Sequence, residues 1–214
     1  MSTQPPGSKI QARRRQVDRS AETRKRLLDA AIVSLTAHGF AGTSVDRIVA
    51  GAGVTRGALN HHFAGKNDVI VSAMHEITER FAARLHGAFR DGSGNPDPHD
   101  RMVRALWETI YGRPTFVARV EILLAARNLP EVLELTRAEL LRGHGLVHDF
   151  WREAFASIGL PCEVARNHVD FALMSLRGLA LEQFVRQDPP FVGRALGMLA
   201  DAMRTMMAEP KAKG

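Results

Sequence analysis

A single cysteine, Cys162, excludes an intrachain disulfide and leaves nothing that points to an oxidising compartment. No uninterrupted apolar run reaches the roughly eighteen residues that a membrane-spanning helix needs, so no membrane partner is expected. Residues Met1 to Gly7 pass into basic sequence without the apolar stretch of a secretory signal, and the expected location is the cytoplasm. Strand-like alternation of useful length is missing, as are internal repeats. Carboxylates are scarce at one end: residues 1–66 hold eleven lysines and arginines against four acids, in a chain whose overall charge is +6. A basic segment on a slightly acidic remainder suits a polyanionic partner for that segment alone.

What is present reads as helix throughout. At 214 residues with 45% apolar content, the chain can bury a sizeable core. Residues 1–19 are polar, basic and proline-containing, and are expected to form a flexible arm. Ser20 can cap a first helix reaching about His38, with Leu27, Leu28, Ala31, Ile32 and Leu35 at helical spacing and Gly39 at its stop. Thr43 and Asp46 fit a capping box and place the start of a short second helix at Ser44, ending by Gly51. Gly53 can supply the positive φ of a turn, and Thr55 can cap a third helix to about His62. Two short helices around a glycine-centred turn make a helix-turn-helix, which presents its second helix to the DNA major groove.

A long amphipathic helix follows from the Gly65 to Asp68 corner, its stripe being Ile70, Met74, Ile77, Phe81, Leu85 and Phe89. The loop from Asp91 to Pro98 ends it. Further helices are expected over about 100–111, 115–127, 131–157, 163–187 and 191–208, with prolines at their boundaries. The predicted fold is all-α: a flexible arm over 1–19, a three-helix helix-turn-helix DNA-binding domain over 20–66, and a larger helical bundle over 67–214.

Enzymatic alternatives find little support. The glycines of Gly51-Ala52-Gly53-Val54-Thr55-Arg56-Gly57 miss the dinucleotide fingerprint because the third falls one place late, and no βαβ unit follows. His144 and His148 stand at i, i+4, but no glutamate follows His144 as in a zinc protease motif, so neither a metal nor a cofactor is expected.

Residues His38-Gly39-Phe40, then Thr43-Ser44-Val45 with Ile48, Ala52-Gly53-Val54-Thr55-Arg56-Gly57-Ala58-Leu59, and His61-His62-Phe63 with Lys66 together resemble the DNA-binding domain of TetR-family transcriptional regulators. The likeness covers about residues 20–70. It implies a ligand-responsive regulator, a repressor that binds a palindromic double-stranded DNA operator as a homodimer and is released by a small apolar or amphipathic effector. A DNA-binding protein without an effector, structural or partner-controlled, is the alternative.

By residue chemistry, Arg56 can pair bidentately with guanine, while Thr55, Gly57 and Ala58 let the start of the helix approach base edges. By resemblance, Thr43 and Lys66 grip phosphates on either side, joined by His61 and His62. Asn60 departs from the family's usual tyrosine; it is shorter, but can pair with adenine. Arg13, Arg14 and Arg15 are candidates to reach a minor groove. Phe63 is expected in the core.

In the bundle, Trp107, Tyr111, Phe116, Trp151, Phe171 and Met174, with His148 as polar anchor, form a candidate ligand lining. The resemblance places dimerisation on the last two helices, where Leu179, Val192, Leu196, Leu199, Met203 and Met206 are the candidate interface, although that stripe can equally face the protein's own core. Arg177 and Glu121, in apolar stretches, are expected to be ion-paired or solvent-exposed.

Overall fold

The computed structural model describes residues 6–91 and 96–208; the side chains of residues 6–15, 89–91, 153 and 207–208 lie outside that description. Every element assigned among the described residues is helical: α1 Pro6–Gly42, α2 Val45–Ala52, α3 Arg56–His62, α4 Lys66–Asp91, α5 Pro98–Leu106 with a π-turn over Trp107–Tyr111, α6 Thr115–Ala126, α7 Pro130–Ala156, α8 Cys162–Arg186 and α9 Pro189–Ala208. Contacts divide the chain into two units, residues up to 77 with 117–136, and residues 78–116 with 137 onward.

The first unit is built on α1, whose Leu27, Leu28, Ala31, Ile32 and Leu35 are buried with Ile48 and Ala52 of α2 and Leu59 of α3, and with Phe63 just beyond it. Each leucine, isoleucine or phenylalanine among them contributes roughly 1.5–3 kcal/mol by leaving water, so this small domain depends on all three helices being present together. α1 starts at Pro6, well before the Ser20 cap predicted from sequence, and residues 6–19 are helical rather than an irregular arm. A polar run of alanine, lysine, arginine and glutamine has good helix propensity, and it extends a helix whose later turns are already packed.

Gly39 interrupts α1 with φ 67° and ψ −177°. A Cβ there would lie 2.6 Å from Glu121 Oε2, and the left-handed φ disfavours any side chain, so two independent constraints select glycine. The same carboxylate accepts the Phe40 backbone N–H at 2.9 Å. Glu121 is therefore neither an ion pair nor a free surface charge; it anchors α6 to the break in α1.

The expected stripe of α4 is buried at Ile70, Met74, Ile77, Phe81 and Leu85, whereas Phe89 lies outside the described side chains. In the second unit α5 packs against α8 and α9, and α8 against α9. Asp97 caps α5 through the His99 backbone N–H at 3.0 Å, and its other oxygen receives Arg204 of α9 at 2.8 Å. Arg177, expected to be ion-paired or solvent-exposed, is half-buried and donates to His144 Nε2 at 3.3 Å across α8 and α7.

Candidate nucleic-acid interface

Capping fixes the turn between α2 and α3. Ser44 is the N-cap of α2, its hydroxyl accepting the Arg47 N–H at 3.2 Å. α2 consequently begins at Val45, one place later than the Thr43 box predicts. At the other end Gly53 adopts φ 61°, as expected, and its N–H closes on Ala50 O at 3.1 Å. Arg26 reaches from α1 to the carbonyls of Ala52 and Gly53, so the turn is tied to the first helix. Thr55 then caps α3, accepting the Ala58 N–H at 3.2 Å.

This geometry turns one face of α3 outward. Arg56, Gly57, Asn60 and His61 are exposed together with the cap Thr55; Ala58 and His62 are half-buried, and Leu59 and Phe63 hold the opposite face in the core. The outward residues run i, i+1, i+4 and i+5, a single helical face. Arg56 pairs with Asp46 Oδ1 at 2.9 Å, and both side chains are mostly exposed, at 61% and 78%. Such a surface pair contributes at most about 1 kcal/mol, so Asp46 orients the guanidinium without locking it away from a groove.

Two residues expected to grip phosphates have partners within the protein. Thr43 is 1% exposed, its hydroxyl donating to Gly39 O at 2.8 Å and meeting Ser34 Oγ at 3.0 Å. It joins α1 to α2 inside the domain, because Ser44 takes over the capping role and turns Thr43 inward. The Lys66 ammonium donates to Phe40 O at 2.8 Å and lies 4.4 Å above the Phe40 ring. Burial pushes its pKa down. It caps the carbonyl end of α1 from the start of α4, and in this arrangement faces protein rather than phosphate. Arg13, Arg14 and Arg15 fall on the first turns of α1, and their side chains lie outside the described residues.

The profile of bacterial regulatory proteins of the tetR family matches residues 27–73, which span the caps, the turn and the outward face of α3. Residues 27–73 thus carry the DNA-binding domain of the TetR family of transcriptional regulators. It is 28% identical over 183 residues to the regulator CymR of Pseudomonas putida, covering 82% of this chain and 86% of that one. A TetR-family member from Streptomyces coelicolor A3 superposes with a TM-score of 0.61 at 28% identity, over 84% of this chain and 96% of the other. The multidrug binding protein EbrR, solved with imidazole, gives a TM-score of 0.58 at 26% identity, over 83% and 93%. These likenesses make the protein a DNA-binding transcriptional regulator.

In the helical body beyond this domain, the candidate ligand residues do not converge on one lining. Tyr111 and Phe116 are buried with ring centroids 5.3 Å apart. Trp151 is buried beside Phe150 and Phe155 on α7, Trp107 and Phe171 are half-buried, and Met174 is 63% exposed. His148 bonds Asp170 at 3.0 Å and borders a cavity of about 50 Å³.

A cluster that periodicity did not reveal lies deeper. His99 of α5 and His168 of α8 are each 2% exposed, their rings 5.4 Å apart, with Phe155 5.0 Å from His99. Burial pushes the His99 pKa down, opposed by Asp97 and reinforced by His168. Both Nε2 atoms are buried without a hydrogen-bond partner among the described residues. The available signal was slight: His99 follows the Asp97-Pro98 cap, and His168 interrupts an apolar face.

The dimer stripe also divides. Val192, Leu196 and Met203 are buried within their own unit, and Leu179 and Leu199 are half-buried. Of the stripe only Met206 is mostly exposed, at 52%. The exposed apolar residues of α8 and α9 are instead Met174, Leu181, Phe184, Val185, Met198 and Met206. The helical period identified an apolar face, and packing of α9 on α5 and α8 consumed it.

Proposed function

We propose that this protein is a cytoplasmic repressor of the TetR family that binds a palindromic DNA operator as a homodimer and leaves it when a small apolar or amphipathic molecule enters the helical body. The outward face of α3, with Arg56 at its first turn and a capped glycine turn behind it, carries this reading. Arg56 reads base edges; Gly57, Ala58 and Thr55 permit close approach; Asn60, His61 and His62 meet the duplex beside it. Two such helices about one DNA turn apart, roughly 34 Å, would match a two-fold operator. Support for dimerisation comes from the six large apolar side chains that α8 and α9 leave exposed, since apolar surface of this kind is suited to a partner.

Effector response is supported by the aromatic residues of the second unit and by EbrR, a multidrug binding protein seen with imidazole. The effector acts through its different affinity for two conformations; a coupling of about 1–3 kcal/mol changes operator affinity roughly 5- to 150-fold. The candidate ligand residues do not line one site, Met174 being 63% exposed, which favours a second reading, a DNA-binding regulator controlled by a partner rather than a ligand.

Selection of bound sites from random DNA tests the first part, and a palindromic consensus is the expected result. Thermal-shift screening of small molecules, followed by operator titration with each hit, separates the two readings. Hits that weaken operator binding support effector control, and hits that leave it unchanged overturn it.

A further inference from the structure

A groove of about 780 Å³ runs between the N-terminal part of α1 and α3. Its polar lining includes Arg19, Ser20 and Arg24 from α1 and His61 and His62 from α3, and none of its lining residues is a carboxylate. Ala58 and His61 belong both to this groove and to the recognition helix, so the groove continues the candidate DNA surface. Arg24 is held in place, its guanidinium 5.2 Å above the Phe63 ring. The two histidine rings meet edge to face at 5.3 Å, and His62 lies 6.3 Å from Phe63.

We propose that this groove is a cradle for the DNA phosphate backbone in which His62 takes up a proton as the duplex docks, so that DNA affinity rises as pH falls through the range where histidine titrates. The inference rests on the DNA-binding reading and extends it to α1. Opposite charge is the recognition chemistry: a phosphodiester meets two guanidiniums, a serine hydroxyl and two imidazoles with no acid lining the site to repel it.

Without DNA the balance is reversed. Burial, His61 and Arg24 all push the His62 pKa down, which leaves the imidazole neutral near pH 7. The charged groups that line the groove with the pair are Arg19 and Arg24 from α1, while Asp68 at the start of α4 is engaged by the Ala64 N–H at 2.9 Å. A phosphate placed among these cations favours the protonated His62 ring, and by linkage what takes up a proton on binding must bind more tightly at lower pH. Because a phosphate carries no sequence information, the effect must appear on any duplex.

The test is fluorescence anisotropy at constant salt, from about pH 8 to about pH 6, with a duplex recovered by site selection and a scrambled duplex of the same length. Both duplexes should tighten roughly ten-fold across that range. His62→Gln should remove nearly all of the logarithmic slope. His86→Gln, in the second unit, should leave the slope unchanged. Arg19→Ala with Arg24→Ala should lower the salt dependence by about one to two counterions on both duplexes.

A wild-type pH slope in the folded His62→Gln variant, or tightening confined to the selected duplex, overturns the cradle. Binding without pH dependence overturns the cradle alone, whereas failure to bind either duplex at any pH overturns the DNA-binding reading as well.

Discussion

Arg56 stands at the first turn of α3 with only a surface carboxylate to hold it, the arrangement expected of a side chain that must exchange partners on docking. Arg56→Ala should relax base preference at one operator position in each half-site, costing about 1–3 kcal/mol of discrimination; an unchanged consensus from site selection would remove Arg56 from readout. Gly39 is constrained from two directions, by its φ of 67° and by Glu121. Gly39→Ala should lower stability by at least about 1–3 kcal/mol, measured as the denaturant midpoint, because it strains the backbone and displaces the carboxylate that holds the Phe40 N–H.

His99 makes acid stability a local property. Its folded pKa lies below the unfolded value of about 6.5, so the unfolded chain binds more protons between the two values. The contribution of the neutral ring is present above the unfolded pKa and is lost as pH falls toward the folded one. Wild-type protein should therefore lose unfolding free energy on acidification more steeply than His99→Gln, and parallel curves would sink this assignment.

Among the helices, short α2 and α3 depend on their caps more than the long ones do, because eight and seven residues cannot sustain a helix alone. Ser44→Ala and Thr55→Ala should each reduce stability by about 1 kcal/mol in thermal or chemical unfolding. The Ser44 effect should exceed that of any surface serine, since its neighbour Thr43 is already committed to Ser34 and Gly39. α4 shows a different dependence: Lys66 links its first turn to the last carbonyls of α1. Lys66→Met, which keeps the stem but loses the donor, should lower stability before it alters the salt dependence of DNA binding. The opposite order would return Lys66 to the phosphate role that the family resemblance implies.

For the chain as a whole, the proposed homodimer assigns to the exposed residues of α8 and α9 the task of bringing two recognition helices to one operator. Phe184→Asp with Met198→Asp places charges on that face without touching buried Leu196 or Met203. Sedimentation should show a shift toward monomer, accompanied by a loss of operator affinity of tenfold or more, as the second half-site is no longer held in register. A variant that stays dimeric would move the interface elsewhere on the molecule.

Local chemistry was enough for much of this. Helical spacing, prolines, Gly53 and Thr55 specify the order of helices and the turn before α3, because these signals act between residues a few positions apart. They also specify which side of α3 carries Arg56 and Asn60, since Leu59 and Phe63 must face inward. Long-range packing settled the remainder. Thr43 and Lys66 lost their expected surface roles to Ser34, Gly39 and Phe40, and Glu121 found an amide 81 positions away. His99 and His168 meet only because α5 and α8 pack together. The stripe of α9 was legible as apolar, but amphipathic spacing is the same for a face that enters its own core and one that awaits a partner. Which of the two it is depends on the neighbours that tertiary packing supplies, and α5 and α8 took Val192, Leu196 and Met203 for the interior.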